Sequence, residues 1–140
     1  MSCDLDKLVD IPVLGSGIGY REPWSQNLLS ESGDGVDFLE ITADHFMDAP
    51  NWKIDQLKEL SEKFTLIPHA LDLSLGSSDG IDQVYLEKLQ SVIEVVCPPY
   101  WSEHLAFTKA GGISIYCGKP HKEIYKLAHQ KLEMHNIKSP

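Results

Sequence analysis

Histidine and carboxylate side chains recur at the ends of three apolar segments of this chain. These residue types are the ones that hold first-row metals such as iron, zinc and manganese. If the three segments are parallel strands, their carboxyl ends lie at one edge of a sheet, where ligands bind in such folds. We therefore predict one mouth at which these side chains converge. They are Glu40, Asp44 and His45 after the first segment, His69 and Asp72 in the second, and Glu103 and His104 in the third.

The default interpretation of any one of these histidines is a hydrogen-bonded core or surface residue. Because three segments carry histidine or carboxylate residues at their ends, this interpretation is weaker for the group as a whole. Glu103 and His104 are neighbours inside the apolar stretch "PYWSEHLAF", so in a strand they point to opposite faces. Three further histidines, on the last predicted helix among Lys and Glu, are assigned to a solvated face: His121, His129 and His135.

The elements that must position these residues alternate between strand-like and helix-like segments. Such alternation predicts an α/β fold with a mainly parallel sheet and about four β-α units. Pro68 argues against a regular ladder at its position, and Trp24, Trp52 and Trp101 are expected in the core. The predicted strands are "IPVLGSGIGY", "VDFLEIT", "TLIPHALDLSL" and "PYWSEHLAF"; the predicted helices are "EPWSQNLLSES", "NWKIDQLKELSEKF", "IDQVYLEKLQSVIEVV" and "KPHKEIYKLAHQKLEMHN".

Length and composition fit one globular domain of 140 residues, with 42% hydrophobic and 24% charged residues. No apolar run approaches the roughly 20 residues of a membrane span, so no membrane partner is expected and the cytoplasm is the default location. The formal charge of −9 repels phosphate backbones and disfavours nucleic acid as a partner. Cys3, Cys97 and Cys117 lack C-x-x-C spacing and are interpreted as free thiols.

The stretch "GSGIGYREPW" raises a competing hypothesis, a nucleotide-binding oxidoreductase. Its glycines are spaced G-x-G-x-G, and Tyr20 stands where the fingerprint needs a third Gly or Ala, so the spacing fails. The alternative is a strand end that a backbone or substrate approaches closely. Arg21 then lies near the mouth, where it could hold a substrate carboxylate bidentately or pair with Glu22 or another surface acid.

Four motifs in order, "GSGIGYREPW", "VDFLEITADHFMDAP", "TLIPHALDLSLGS" and "YWSEHLAFTKAGGI", resemble the N-terminal half of the multinuclear non-heme iron-dependent oxidative enzymes. That family was formerly catalogued as a domain of unknown function. The resemblance covers about residues 13–115, whereas residues 116–140 diverge. It implies a TIM barrel similar to xylose isomerase, with two or three irons at its C-terminal face. It also implies oxygen-dependent modification of a cysteine-containing precursor peptide, usually presented by a partner protein.

By the same resemblance, His69 and His104 occupy positions that bind iron in the family. Asp44 and His45 stand where the family usually has Glu-Asn, so they are kept as mouth residues along with Glu40 and Asp72. Glu103, on the opposite strand face from His104, is expected to support the barrel through hydrogen bonds. A neutral imidazole ligand also needs an acceptor for its second ring nitrogen, which a carboxylate or backbone carbonyl would supply.

A full TIM barrel takes roughly 250 residues, so residues 1–140 are interpreted as a single partial domain, a half barrel. A truncated gene product, a frameshift product and one of two subunits stay open as explanations. An open half barrel exposes a strand edge, which predicts self-association. A catalytically inactive fragment or interaction module is the alternative function.

Overall fold

The computed structural model describes residues 12–30, 35–110 and 113–114. Strands and helices alternate along the chain as the sequence predicts. The strands are β1 (Gly17–Gly19), β2 (Phe38–Thr42), β3 (Thr65–Ala70), β4 (Ser102–Glu103), β5 (Lys109–Ala110) and β6 (Ile113–Ser114). The helices are α1 (Ser25–Ser30), α2 (Asn51–Lys63) and α3 (Gln83–Val96), with 3₁₀ turns at Glu22–Trp24 and Ala43–His45.

The first four strands form one parallel sheet in the order β1-β2-β3-β4. Thr42 of β2 is level with His69 of β3, which is level with Ser102 of β4. All four strands therefore end at one edge of the sheet, as the α/β prediction requires. The sheet is not closed on itself within the described residues, which agrees with a partial TIM-barrel-like fold. A short antiparallel pair, β5 with β6, forms a separate ribbon.

One face of the sheet carries the main core. The side chains of Leu39 and Ile41 on β2 and of Leu66 on β3 are almost fully enclosed. They pack against Leu57 and Leu60 of α2 and against apolar residues of α3, which are Leu89, Val92 and Val96. We call this the helix face. Residues in between on the same strands belong to the second face, which includes Glu40, Thr42, His69 and Ser102.

The ends of α3 show why the helix occupies its predicted place. Asp82 caps the first turn, since its carboxylate accepts hydrogen bonds from the backbone N–H groups of Val84 and Tyr85 at 3.0 and 3.2 Å. The helix stops at Cys97, which adopts a left-handed conformation with φ of 43°. Two prolines follow, and neither can continue a helix.

The predicted strands at both sheet edges are longer than the observed ones. Only Gly17–Gly19 of the first and Ser102–Glu103 of the last are paired. The objection to a regular ladder at Pro68 was wrong, because Pro68 lies inside β3 opposite Ile41. On the other side of β3, pairing with β4 begins only at His69, beyond the proline.

The glycine-rich segment before β2 has a structural explanation. Gly15 has a φ of +92°, and a Cβ there would lie 2.1 Å from the Asp37 carboxylate. That carboxylate accepts a hydrogen bond from the backbone N–H of Ser16 at 2.7 Å. Gly17 abuts the ring of Phe38, which a Cβ would approach to 2.4 Å. The glycines thus let β1 approach β2 closely.

Two of the three tryptophans contradict their predicted burial. Trp24 is 49% exposed and Trp52 is 60% exposed, while Trp101 packs partly buried against the core. Cys97 is a free, exposed thiol. The last predicted helix with its three histidines, and Cys3 and Cys117, lie outside the described residues. Within the described part of the chain, no helix is long and apolar enough to cross a membrane.

Candidate metal-binding site

The imidazoles of His69 and His104 meet at the carboxyl edge of the sheet. Their ring centroids lie 6.2 Å apart, with the ring planes nearly perpendicular. His69 is half-buried and His104 is exposed. The sequence predicted that these two histidines share one mouth, and the structure brings them together.

The backbone explains this meeting. His69 is the fifth residue of β3, and His104 follows β4 directly. The ladder continues past β4, since the backbone N–H of His104 donates to the carbonyl of Ala70 at 2.8 Å. Strand alternation then puts Ser102 and His104 on the second face of the sheet and Glu103 on the helix face.

Ser102 contacts the His69 ring directly. Its Oγ lies 2.8 Å from His69 Nδ1, within hydrogen-bonding distance. The two residues are paired across the parallel ladder, so the contact follows from strand register. Sequence reasoning expected a carboxylate or a backbone carbonyl beside the histidine ligands, and the structure supplies a hydroxyl. Ser102 was missed because strand register cannot be read from the sequence.

Glu103 lies under the helix face, away from the histidine pair. Neither carboxyl oxygen is exposed, and neither has a hydrogen-bond partner. The expectation that Glu103 supports the barrel through hydrogen bonds stays a prediction. The backbone amides of Leu73 and His104 lie close enough to lower its pKa, yet they do not reach hydrogen-bonding geometry. Burial, followed by the negative charges of Asp44 and Asp72, raises the pKa of Glu103 to about 8.

Asp44 is held at the same edge by a network centred on Tyr85. The Tyr85 hydroxyl donates to Asp44 Oδ1 at 2.9 Å, and the backbone N–H of Leu71 donates to Asp44 Oδ2 at 3.0 Å. The same hydroxyl accepts from the N–H groups of Leu71 and Asp72 at 3.2 and 3.1 Å. Burial raises the pKa of the Tyr85 phenol above its ordinary value, so it stays a neutral donor. In the sequence Tyr85 is one residue of a predicted helix, and its role at this edge was not predicted.

A lysine balances the acids beyond Tyr85. Lys109 Nζ lies 3.3 Å from Asp72 Oδ2 and 3.6 Å from Asp82 Oδ2. It also lies 5.6 Å from the centre of the Tyr85 ring. The carboxylates of Asp44 and Asp72 are thus engaged by protein groups on the helix side of the mouth.

The remaining predicted mouth residues lie at the surface. Glu40 is exposed on the second face, on the same strand face as Thr42 beside His69. His45 is exposed in the 3₁₀ turn after β2. Arg21 is exposed before the first 3₁₀ turn, and the structure shows no ion pair for it among the described residues. Of the alternatives for Arg21, pairing with Glu22 is not seen among the described residues, where Glu22 pairs with Lys53 at 2.9 Å.

Two imidazoles with an oriented ring nitrogen fit a first-row metal in donor type. No group of three or more His, Cys, Asp or Glu residues with metal-binding geometry occurs within residues 12–30 and 35–110. The described residues thus bring two histidines together without a third metal-binding side chain beside them.

Comparison with known proteins places this geometry in context. Residues 15–120 match a family described as the RiPP precursor modification enzymes MbnB/TglH/ChrH. A "UPF0276 protein" of Rhizorhabdus wittichii is 32% identical over 101 residues, which cover 71% of this chain and 36% of that protein. One of Caulobacter vibrioides is 29% identical over 103 residues, covering 74% and 37%. The chain spans about a third of the length of these curated relatives.

Proposed function

Because the chain belongs to the MbnB/TglH/ChrH family of RiPP precursor modification enzymes, we propose that it provides metal ligands for an iron-dependent oxidative modification of a precursor peptide. The observation that carries this proposal is the pairing of the His69 and His104 rings at the carboxyl edge of a parallel sheet. Ligands bind at this edge in α/β folds.

His69 and His104 would hold the metal, and two or three irons would occupy the complete site. Bound iron would supply the redox chemistry that activates oxygen. The protein's own contribution is placement: Ser102 contacts one ligand ring, and the Tyr85 network fixes the loops beside it. Asp44 acts in this proposal through the hydrogen bonds that both of its oxygens accept, and Asp72 acts through its ion pair with Lys109.

The proposed substrate is a cysteine-containing ribosomal peptide, presented by a partner protein in the cytoplasm. The exposed position of Arg21 near the end of β1 leaves its guanidinium available to a substrate carboxylate. Within the described residues the outer edges of β1 and β4 are unpaired, which supports self-association of the chain as a further part of this proposal.

A second candidate is a non-catalytic interaction module. The observation that favours it is the lack of a three-residue metal group among the described residues. Fewer protein ligands bind iron more weakly, so this candidate predicts little bound metal.

Metal analysis of anaerobically purified protein separates the two candidates. We expect iron in the wild type and its loss in both His69→Ala and His104→Ala, because each substitution removes one imidazole of the pair. His129→Ala is the control, since the sequence assigns that histidine to a solvated helix face. Iron content that is unchanged by both site substitutions would contradict the metal proposal. Oxygen-dependent mass change of a cysteine-containing precursor peptide, lost with the same two variants, would test the oxidative step.

A further inference from the structure

We propose that Ser102 is the positioning residue for His69, and that it accepts the Nδ1–H so that Nε2 is the unprotonated nitrogen offered to a metal. The contact between Ser102 Oγ and His69 Nδ1 is 2.8 Å long. This inference rests on the proposed metal function for its purpose, but the hydrogen bond itself can be tested without metal.

The geometry of the sheet supports this role of Ser102. His69 and Ser102 are paired across the parallel ladder between β3 and β4, so both Cα positions are fixed by the sheet. A ligand ring mounted on a strand and held by a second strand has little freedom to turn. Metal sites require ligand rings with a fixed orientation, because ordering a mobile ring costs conformational entropy each time metal binds.

The chemistry of the His69 imidazole also supports this role. A neutral imidazole has one protonated and one free nitrogen, and the hydrogen bond at one nitrogen selects the state of the other. Nδ1 of His69 is occupied by Ser102, and Nε2 has no hydrogen-bond partner among the described residues. If Nδ1 carries the proton, Nε2 presents a lone pair as a ligand.

Two nearby carboxylates do not compete with Ser102 for His69 Nδ1. Ligand histidines commonly donate to a carboxylate or a backbone carbonyl. Here the nearby carboxylates of Asp44 and Glu103 lie on the helix side, and Asp44 is bonded to Tyr85 and Leu71. Ser102 is therefore the group available for this task.

The first test measures the His69 tautomer by ¹⁵N NMR of the metal-free protein at about pH 8.5, where free imidazole is neutral. We expect the Nδ1–H tautomer in the wild type. We also expect Ser102→Ala to move the ring towards Nε2–H, and Ser102→Thr to retain the wild-type tautomer because it keeps the hydroxyl. An Nε2–H tautomer in the wild type would overturn the proposal, and no variant is needed for that result.

The second test measures Co²⁺ affinity from the visible absorption of bound cobalt. We expect Ser102→Ala to weaken binding by about 10- to 100-fold, the usual cost of losing a partner of a ligand histidine. Ser102→Thr should restore affinity. Ser91→Ala, which removes an exposed helix hydroxyl, is the control and should leave affinity unchanged.

The two tests separate the two ideas. If the wild type binds no cobalt, the proposed metal function fails, while the NMR result still decides the role of Ser102. If the wild type binds cobalt and His69→Ala loses it, but Ser102→Ala binds as tightly as the wild type, the positioning role is refuted and the metal function stands.

Discussion

The Glu103 carboxyl should make this fold less stable as the pH rises, and Glu103→Gln should remove that dependence. Both oxygens are buried without a hydrogen-bond partner, and the pKa is raised to about 8 by burial and by the charges of Asp44 and Asp72. In the unfolded chain the pKa of glutamate is close to 4.5. The native state therefore holds its proton more tightly than the unfolded state does.

The sign follows from proton linkage. Below about pH 4.5 the carboxyl is protonated in both states and has no effect on the pH dependence. Between about pH 4.5 and 8 the unfolded state releases the proton while the native state keeps it, so the free energy of unfolding falls as pH rises. Above about pH 8 the buried group is charged in both states and the loss is complete.

The difference in the pKa of Glu103 between the folded and unfolded states sets the size of this loss in stability. One pKa unit corresponds to about 1.4 kcal/mol, so the free energy of unfolding falls by at most about 3 kcal/mol between pH 4.5 and 7. The residue as a whole is only partly buried, so screening by solvent reduces this figure, and we expect about 2 kcal/mol. Glutamine keeps the shape of the side chain without the ionisation. The gain in stability of Glu103→Gln over the wild type should therefore grow from pH 5 to pH 8.5.

Urea unfolding at pH 5, 7 and 8.5, with a chelator present, measures this difference. Glu59→Gln is the matched control because it changes an exposed glutamate on α2. It reports what the same substitution does at an exposed position. An equal effect of Glu103→Gln at pH 5 and pH 8.5 would refute the assignment of a raised pKa, because the ionisation would then cost nothing in the native state.

Two further predictions concern the elements that carry the site. Gly17→Ala should destabilise the fold by about 1 to 3 kcal/mol in urea unfolding, since the new Cβ would clash with the Phe38 ring, whereas Gly19→Ala, with no atom within 4 Å of its Cβ, should be nearly neutral. Equal effects of the two would contradict the packing argument. Asp82→Ala should cost about 1 kcal/mol through loss of the α3 cap, with Asp82→Asn retaining most of it. Hydrogen bonding to the first turn of α3 lowers the pKa of Asp82. The wild type should therefore lose its greater stability over Asp82→Asn as the pH falls through that lowered pKa. A difference in the free energy of unfolding that stays constant on acidification would contradict this.

Helices α2 and α3 were predicted well because their apolar residues recur with helical period over 13 and 14 residues. The strands at the sheet edges were predicted less well, because apolar character does not show where pairing stops. Trp24 and Trp52 were wrongly placed in the core, since hydrophobicity alone does not reveal which face of an element is covered. The convergence of His69 and His104 was predictable because parallel strands end at one edge.

What the sequence could not reveal was how strand alternation divides the polar residues of the mouth. Ser102 and His104 belong with His69 on the second face, whereas Glu103 lies on the helix face near Tyr85. This division depends on the register between β3 and β4, which is a tertiary property. A slip of one residue would exchange the two sets.

The same division decides which carboxylate could complete a metal site on the histidine face. Both oxygens of Asp44 accept hydrogen bonds from Tyr85 and Leu71, and one oxygen of Asp72 pairs with Lys109. Glu40 is the predicted mouth carboxylate that shares a strand face with Thr42, the residue level with His69. It lies two residues earlier on β2, which displaces it by roughly 7 Å along the strand from the level of the histidine. That displacement explains why Glu40 does not form a three-residue group with the two imidazoles. Under the proposed metal function, a third ligand would therefore come from water, from substrate or from residues outside the described part of the chain.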